Sequence, residues 1–331
     1  MRFLVTGGAG YIGSHLAWAL LDRGHDVVII DDLSTGVGAL IPNDATFVHG
    51  DCADPKCLRA AYGPEPIDGV FHFAGSVVVP ESVSDPIKYY FNNTTKTLEL
   101  LRFLLAQGTR HFVFSSTAAV YGQPVTDQVT EDTPTEPINP YGRSKLMIEW
   151  ILRDVAAAQG LHYLALRYFN VAGADPQLRT GQATPEATHL IKVATGAALG
   201  ARDGLTIFGT DFPTPDGTGV RDYIHVSDLA DLHVLAMDDL LAGGTSGVLN
   251  CGYGRGFSVR EVIDTLKDVS GSDFPVHDGP RRAGDPAALI ADPSRTRERF
   301  SWSPRHDDLT EIVESALAWE KAWLARTANG A

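Results

Sequence analysis

A tyrosine and a lysine four residues apart, Tyr141 and Lys145 in NPYGRSKLMIEW, give this chain its first chemical signal. Four residues is about one helical turn, so the two side chains share a face of any helix starting at Asn139 and Pro140. A free phenol, with a pKa of about 10, is a poor base at neutral pH. A nearby ammonium and a cationic ring of a bound group would both stabilise the phenolate, letting Tyr141 take a hydroxyl proton. YxxxK alone is common on helices, so its company matters. Upstream, the apolar run from His111 empties into Ser115, Ser116 and Thr117. A hydroxyl there can orient the same proton, or simply cap a backbone group.

The second signal is TGGAGYIG at 6–13, between an apolar run and an amphipathic one. Gly7, Gly10 and Gly13 let the backbone turn tightly and approach a pyrophosphate, whose charge meets free amides and the positive end of a helix dipole. Asp31 ends the next apolar run, where a carboxylate can accept from ribose hydroxyls and repel a 2′-phosphate, which favours NAD over NADP. Asp32 beside it is the alternative ligand. Asp51 is a weaker candidate for the adenine end, and an ordinary turn aspartate is the competing reading.

Parallel strands crossed over by helices would position these groups. Apolar runs at Arg2 to Thr6, Val27 to Asp31, Phe47 to His49, Val70 to Phe73, His111 to Ser115 and Tyr163 to Phe169 alternate with amphipathic stretches, predicting a Rossmann-type, doubly wound α/β sheet. Gly24, Gly108 and Gly160 stand where helices end. The segment GTDFPTPDGTGVRD at 209–222 has little periodicity and reads as a long functional loop. Apolar runs return at Tyr223 to Val226 and Val248 to Asn250, followed by helices near Val259 to Val269 and Leu309 to Leu324. These features divide the chain into an NAD-binding domain over 1–170, with segments near 223–252 returning to it, and a smaller α/β substrate lobe from 171–222 and 253–331.

At this point the motifs resemble a known family. TGGAGYIGSH, HFAG at 72–75, SSTAAVYG at 115–122, YGRSK at 141–145 and RYFNVAGAD at 167–175 are similar to extended short-chain dehydrogenase/reductases. GTGVRDYIHVSDLA at 217–230, NCGYGRGFSV at 250–259 and RRAGDPAALIAD at 281–292 narrow the resemblance to the UDP-glucose 4-epimerases of that group, over nearly the whole chain. The resemblance implies an isomerase that interconverts UDP-glucose and UDP-galactose by transient oxidation at carbon 4. Tyr141 would be the acid/base, Lys145 its partner and a holder of the nicotinamide ribose, and Thr117 the assisting hydroxyl. Gly7, Gly10, Tyr11, Ile12, Gly13, Asp31, Asp51, Phe73, Ala74, Asn93, Lys145 and Tyr168 match NAD contacts. Asn170, His189, Leu190, Phe208, Arg221, Arg282, Asp285 and Leu289 match UDP-sugar contacts, and relatives pair as homodimers through two long helices of the large lobe.

Departures from the family pattern bear on the substrate. Ser76 and Val77 stand where relatives often carry a lysine, and His189 where an asparagine often precedes the leucine. Leu289 occupies the place of a large tyrosine in some relatives, so the smaller side chain predicts room for UDP-N-acetylhexosamines. Ala118 and Ala119 lie where related dehydratases place acidic side chains, which argues against dehydration; a UDP-hexuronate epimerase and a non-catalytic NAD or nucleotide-sugar binder are the competing readings. Among 331 residues, 27 Lys and Arg stand against 41 Asp and Glu, a net charge of −14 that argues against a broad grip on nucleic acid or an anionic membrane. Cys52, Cys57 and Cys251 form no metal-ligand spacing, so no metal is expected. Together with a start that lacks signal-peptide character and no apolar run of membrane length, they predict a cytoplasmic protein.

Overall fold

A computed structural model describes residues 1–184, 187–282 and 285–328. Seven parallel strands form the main sheet: β1 (Arg2–Thr6), β2 (Asp26–Asp31), β3 (Thr46–His49), β4 (Gly69–His72), β5 (His111–Thr117), β7 (His162–Tyr168) and β11 (Gly247–Cys251). Their spatial order is β11-β7-β5-β4-β1-β2-β3. Because the chain runs outward from β1 in both directions, a crevice opens beyond the carboxyl ends of β1 and β4.

The unbroken apolar runs follow from burial on both faces. Phe3, Val5, Val27 and Ile29 point into one core layer with Leu16 and Leu20, whereas Leu4, Val28 and Ile30 enter the other with Leu100, Leu104 and Leu152. This two-residue alternation between two dry layers demands hydrophobic residues at successive positions.

A second sheet, ordered β12-β10-β14-β6, joins β6 (Gln128–Val129), β10 (Val220–His225), β12 (Gly256–Ser258) and β14 (Ala288–Ala291), with β8 (Asn170–Ala172) pairing along β10. β9 (Leu205–Phe208) and β13 (Val276–Gly279) make a separate parallel pair. Within 223–252, β11 joins the main sheet edge and the Val226–Leu241 helix packs on Tyr11–Leu21, while β10 stays in the second sheet. Conversely, β6 leaves the first 170 residues to pair with β14. The departure of β6 escapes a reading based on chain order.

β1 keeps its expected bounds, and the ends of the other strands lie within three residues of expectation. β5 continues through Thr117, and the last residues of the 209–222 loop, Val220 to Asp222, already belong to β10. Gly160 ends the Pro140–Gln159 helix in the left-handed conformation, and Gly24 and Gly108 also adopt positive φ.

Candidate active site

The glycine turn is built by close approach. Gly7 has φ +72°, and a Cβ there would meet the Ala74 amide nitrogen at 2.7 Å; at Gly13 it would meet the Gly7 carbonyl oxygen at 2.3 Å. Larger residues would push the turn off β4 and the helix off the turn. Gly10 caps the Tyr11–Leu21 helix with no side chain over its first amides and no acid in its first turn, leaving the positive end of the dipole uncovered. Asp31 closes the turn: its carboxylate accepts from the Ala9 amide at 2.9 Å and the Leu33 amide at 2.9 Å. Burial raises its pKa and those two bonds counter the rise. Asp32 instead turns to the Ser34 amide and hydroxyl, so Asp31 is the aspartate that faces the glycines.

The other expected cofactor positions divide into facing groups and groups bonded within the protein. Ile12 packs against the core, and Phe73 lies 4.9 Å from the His233 ring. The buried Tyr11 hydroxyl donates to the Gly173 carbonyl at 2.7 Å. Asp51 pairs with Lys96 at 2.7 Å, which brings a cation to that end of the cleft. Asn93 is buried on a π-helical turn; its carbonyl accepts from the Ser76 amide, and its NH2 donates to the Ser76 carbonyl and the Ser144 hydroxyl. Tyr168 bonds to the buried His233. Asn93 and Tyr168 therefore shape the cleft with side chains already engaged.

The Asn139 side chain caps the Gly142 amide at 2.8 Å, Pro140 opens the first turn, and the helix runs to Gln159. Lys145, only 2% exposed, donates to the Ser115 carbonyl at 2.9 Å and lies 4.9 Å from the centre of the Phe114 ring. Burial pulls its pKa down to about 8. Burial pushes the Tyr141 phenol up, and the Thr117 hydroxyl, at the end of β5, draws it back. The Thr117 hydroxyl lies beside the phenol and also accepts from the Ala119 amide at 3.1 Å, while the lysine, one turn further on, addresses the strand backbone rather than the phenol. The edge of the Tyr89 ring completes the phenol's surroundings, with ring centres 6.4 Å apart.

On the lobe side, Asn170 pairs across β8 and β10 with Tyr223, whose hydroxyl its side chain contacts. One cavity gathers Tyr11, Asn170, His189, Leu190 and Tyr223. His189 is the residue before the Leu190–Ala198 helix, and burial lowers its pKa. Arg221 and Leu289 are register partners on β10 and β14. The charge of Asp285 acts on Arg221, whose guanidinium loses proton affinity through burial. Arg282 stacks on Phe208 at 4.0 Å, making a flat cationic platform. Leu289 packs against a cluster that includes Ala118, the residue after Thr117, with Val120, Tyr121, Leu146 and Phe169. Ala283 and Gly284 of the arginine motif, and residues 329–331 of the lobe, lie outside the described residues.

Residues 3–252 match the family described as NAD dependent epimerase/dehydratase. The chain belongs to this family. Among family relatives, the UDP-glucose 4-epimerase of Azospirillum brasilense is 58% identical over 321 residues, 97% of this chain and 92% of that protein. The crystal structure of UDP-glucose 4-epimerase from Brucella ovis in complex with NAD superposes with a TM-score of 0.92 at 44% identity, covering 96% of this chain and 97% of that one. The UDP-Glc/GlcNAc 4-epimerase of Campylobacter jejuni superposes with a TM-score of 0.84 at 48% identity, covering 97% and 99%. Within this family fold, Lys96, Tyr89, His233 and a buried set around Glu149 were missed by sequence reasoning. Glu149 alone left a trace, as the third member of the four-residue series Tyr141, Lys145, Glu149.

Proposed function

We propose that the chain is an NAD-dependent isomerase that inverts carbon 4 of UDP-hexoses, interconverting UDP-glucose and UDP-galactose and also accepting UDP-N-acetylhexosamines. The observation that carries this reading is the contact of the Tyr141 phenol with Thr117, beside a buried Lys145 and at the carboxyl end of β5, two strands from the glycine turn that follows β1. The glycine cradle and the free acceptor capacity of Asp31 fit a dinucleotide with an unmodified ribose. NAD, when bound, would supply reversible hydride acceptance at carbon 4 and the positive ring charge that favours a phenolate.

The chain's own residues hold and move the proton. Tyr141 takes it from the 4-hydroxyl and returns it, and Thr117 donates to the phenol oxygen and steadies the ionised form. Lys145 adds an ammonium at the floor of the cleft. Arg221 and Arg282 would grip the diphosphate, with Phe208 under the base, so affinity sits in the UDP portion and the hexose stays free to turn. Leu289 presents a short aliphatic side chain beside Ala118, which leaves space for an N-acetyl group.

Two further expectations belong to this reading. Ile87, Phe91 and Leu98 in the helical stretch 86–106, and Met147 and Trp150 on the Pro140–Gln159 helix, expose apolar side chains, which supports a homodimer through these helices. Three free thiols, two of them buried, support a cytoplasmic setting. Among the described residues no helix is long and apolar enough to cross a membrane. Incubating the purified protein with UDP-galactose tests the activity: UDP-glucose should appear with no build-up of reduced cofactor, and stoichiometric NADH would refute an internal return of the hydride.

A further inference from the structure

Behind the reacting groups lies a buried polar assembly that the proton transfer does not use. Glu149 stands one turn beyond Lys145 and is 5% exposed. One of its oxygens accepts from the Ser116 hydroxyl at 2.5 Å and from Arg167 Nε at 3.0 Å; the other accepts from Arg167 Nη2 at 2.6 Å. Arg167 Nη1 donates to the Tyr121 hydroxyl at 2.9 Å, which donates to the Asn250 side-chain carbonyl at 2.7 Å. Asn250 then donates its side-chain NH2 to the Val129 carbonyl and its backbone amide to Glu131. The chain of bonds runs from the catalytic helix through β5, β7 and β11 to β6, and β6 pairs with β14, which carries Leu289.

The pattern at β5 gives the assembly its purpose. Two consecutive strand residues hold two consecutive turns of the helix: the Ser115 carbonyl takes Lys145, and the Ser116 hydroxyl gives to Glu149. The next residue is Thr117, which meets Tyr141. A helix can slide or roll along a strand when only one tether joins them; two tethers a turn apart fix both motions. The bidentate clamp from Arg167 then prevents Glu149 from changing rotamer.

We propose that Glu149 is a positioning residue for the proton transfer, locking the catalytic helix against β5 through Ser116 and Arg167 so that Tyr141 stays in register with Thr117. The inference rests on the epimerase reading for its kinetic consequences, but not for its geometry. The groups beside the phenol are Thr117 from β5, Tyr168 from β7 and Tyr89, itself bonded to Glu81, from the preceding helices, while Lys145, one turn further along, is held by the Ser115 carbonyl. Thr117 alone among them draws the phenol's pKa downward. Loosening the lock therefore weakens that contact and raises the pKa of Tyr141.

Ser116→Ala removes one tether while leaving the Glu149–Arg167 pair intact, and Ser116→Thr keeps the hydroxyl. Glu149→Gln is a second probe. On the NAD-loaded protein with UDP-galactose, Ser116→Ala should lower kcat about tenfold, since displacements of an ångström at a reacting group cost up to about a hundredfold. KM should stay within about twofold, the acid limb of kcat should move to higher pH, and Ser116→Thr should restore both. Wild-type kcat and an unmoved acid limb in both Ser116→Ala and Glu149→Gln would overturn the proposal. So would a kcat loss that Ser116→Thr fails to rescue, because that marks general loosening. Ultraviolet titration of the phenolate, with Tyr141→Phe subtracted, gives a readout independent of turnover. Should the wild type fail to convert UDP-galactose, the epimerase reading falls, and an upward shift of that titration in Ser116→Ala still upholds the positioning role, whereas no shift overturns it.

Discussion

Replacing Lys145 by methionine should make the protein more stable and nearly inactive. The lysine is fully enclosed, and burial lowers its pKa from 10.5 to about 8, which corresponds to a penalty of roughly 3 kcal/mol at about 1.4 kcal/mol per pH unit. Methionine fills similar space without a charge, and the lost hydrogen bond to the Ser115 carbonyl offsets about 1 kcal/mol of the relief. A net gain of about 2 kcal/mol remains. With an unfolding entropy of about 2 cal/mol/K per residue, it amounts to a rise in Tm of about 3 °C for a chain of this size. The difference should also depend on pH. Below pH 8 the amine is charged in both the folded and unfolded states, so the penalty is complete. Between about 8 and 10.5 the folded amine is neutral while the unfolded one still binds its proton, so the wild type gains stability with rising pH and the gap closes. Thermal unfolding of cofactor-free wild type and Lys145→Met at pH 7 and pH 10 measures both effects, and UDP-galactose turnover should fall about 10²- to 10³-fold. A lower Tm for the variant at pH 7, or turnover within tenfold of wild type, would refute the view that this charge is held at a cost to folding for the sake of catalysis.

Gly7→Ala should lose bound NAD and about 2 kcal/mol or more of stability, because the new methyl meets the Ala74 amide at 2.7 Å on a backbone with φ +72°; cofactor content on purification and Tm report it. Leu289→Tyr should reduce turnover of UDP-N-acetylglucosamine by tenfold or more with little effect on UDP-glucose, and equal, negligible rates in wild type and variant would remove Leu289 from the specificity argument. Acid should unfold the protein steeply. Burial lowers His72 and His225 to about 3 and His15 and His233 to about 4, so these groups contribute stability that is complete above about pH 6.5 and declines as pH falls toward 4. Asp222, raised to about 6, opposes one of the four, leaving a slope of roughly 4 kcal/mol per pH unit between 6 and 4. Denaturant unfolding across that range measures it, and a flat profile would contradict neutral burial of these imidazoles.

What sequence alone determined is local and periodic. The strand–glycine–helix start, the Asn139–Pro140 helix opening and the four-residue spacing of Tyr141 and Lys145 depend on dihedral freedom, capping and helical pitch, all of which are written in neighbouring residues. The main strands were legible because both faces of the sheet are dry, so each left an unbroken apolar run. Only the tertiary structure decided which partners those residues meet. Asp31 was separated from Asp32 by the Ala9 amide reaching back across the turn, Lys145 was directed to a strand carbonyl rather than to the phenol, and Asn93 and Tyr168 were engaged by Ser76, Ser144 and His233. The pairing of β6 with the distant β14, and the Glu149–Arg167 lock with the bonds beyond it, join residues as far apart as Tyr121 and Asn250. Hydrogen bonds of that range leave no periodic trace, because chain closure over more than a hundred residues is fixed by the packing of whole layers and not by the residues that finally touch.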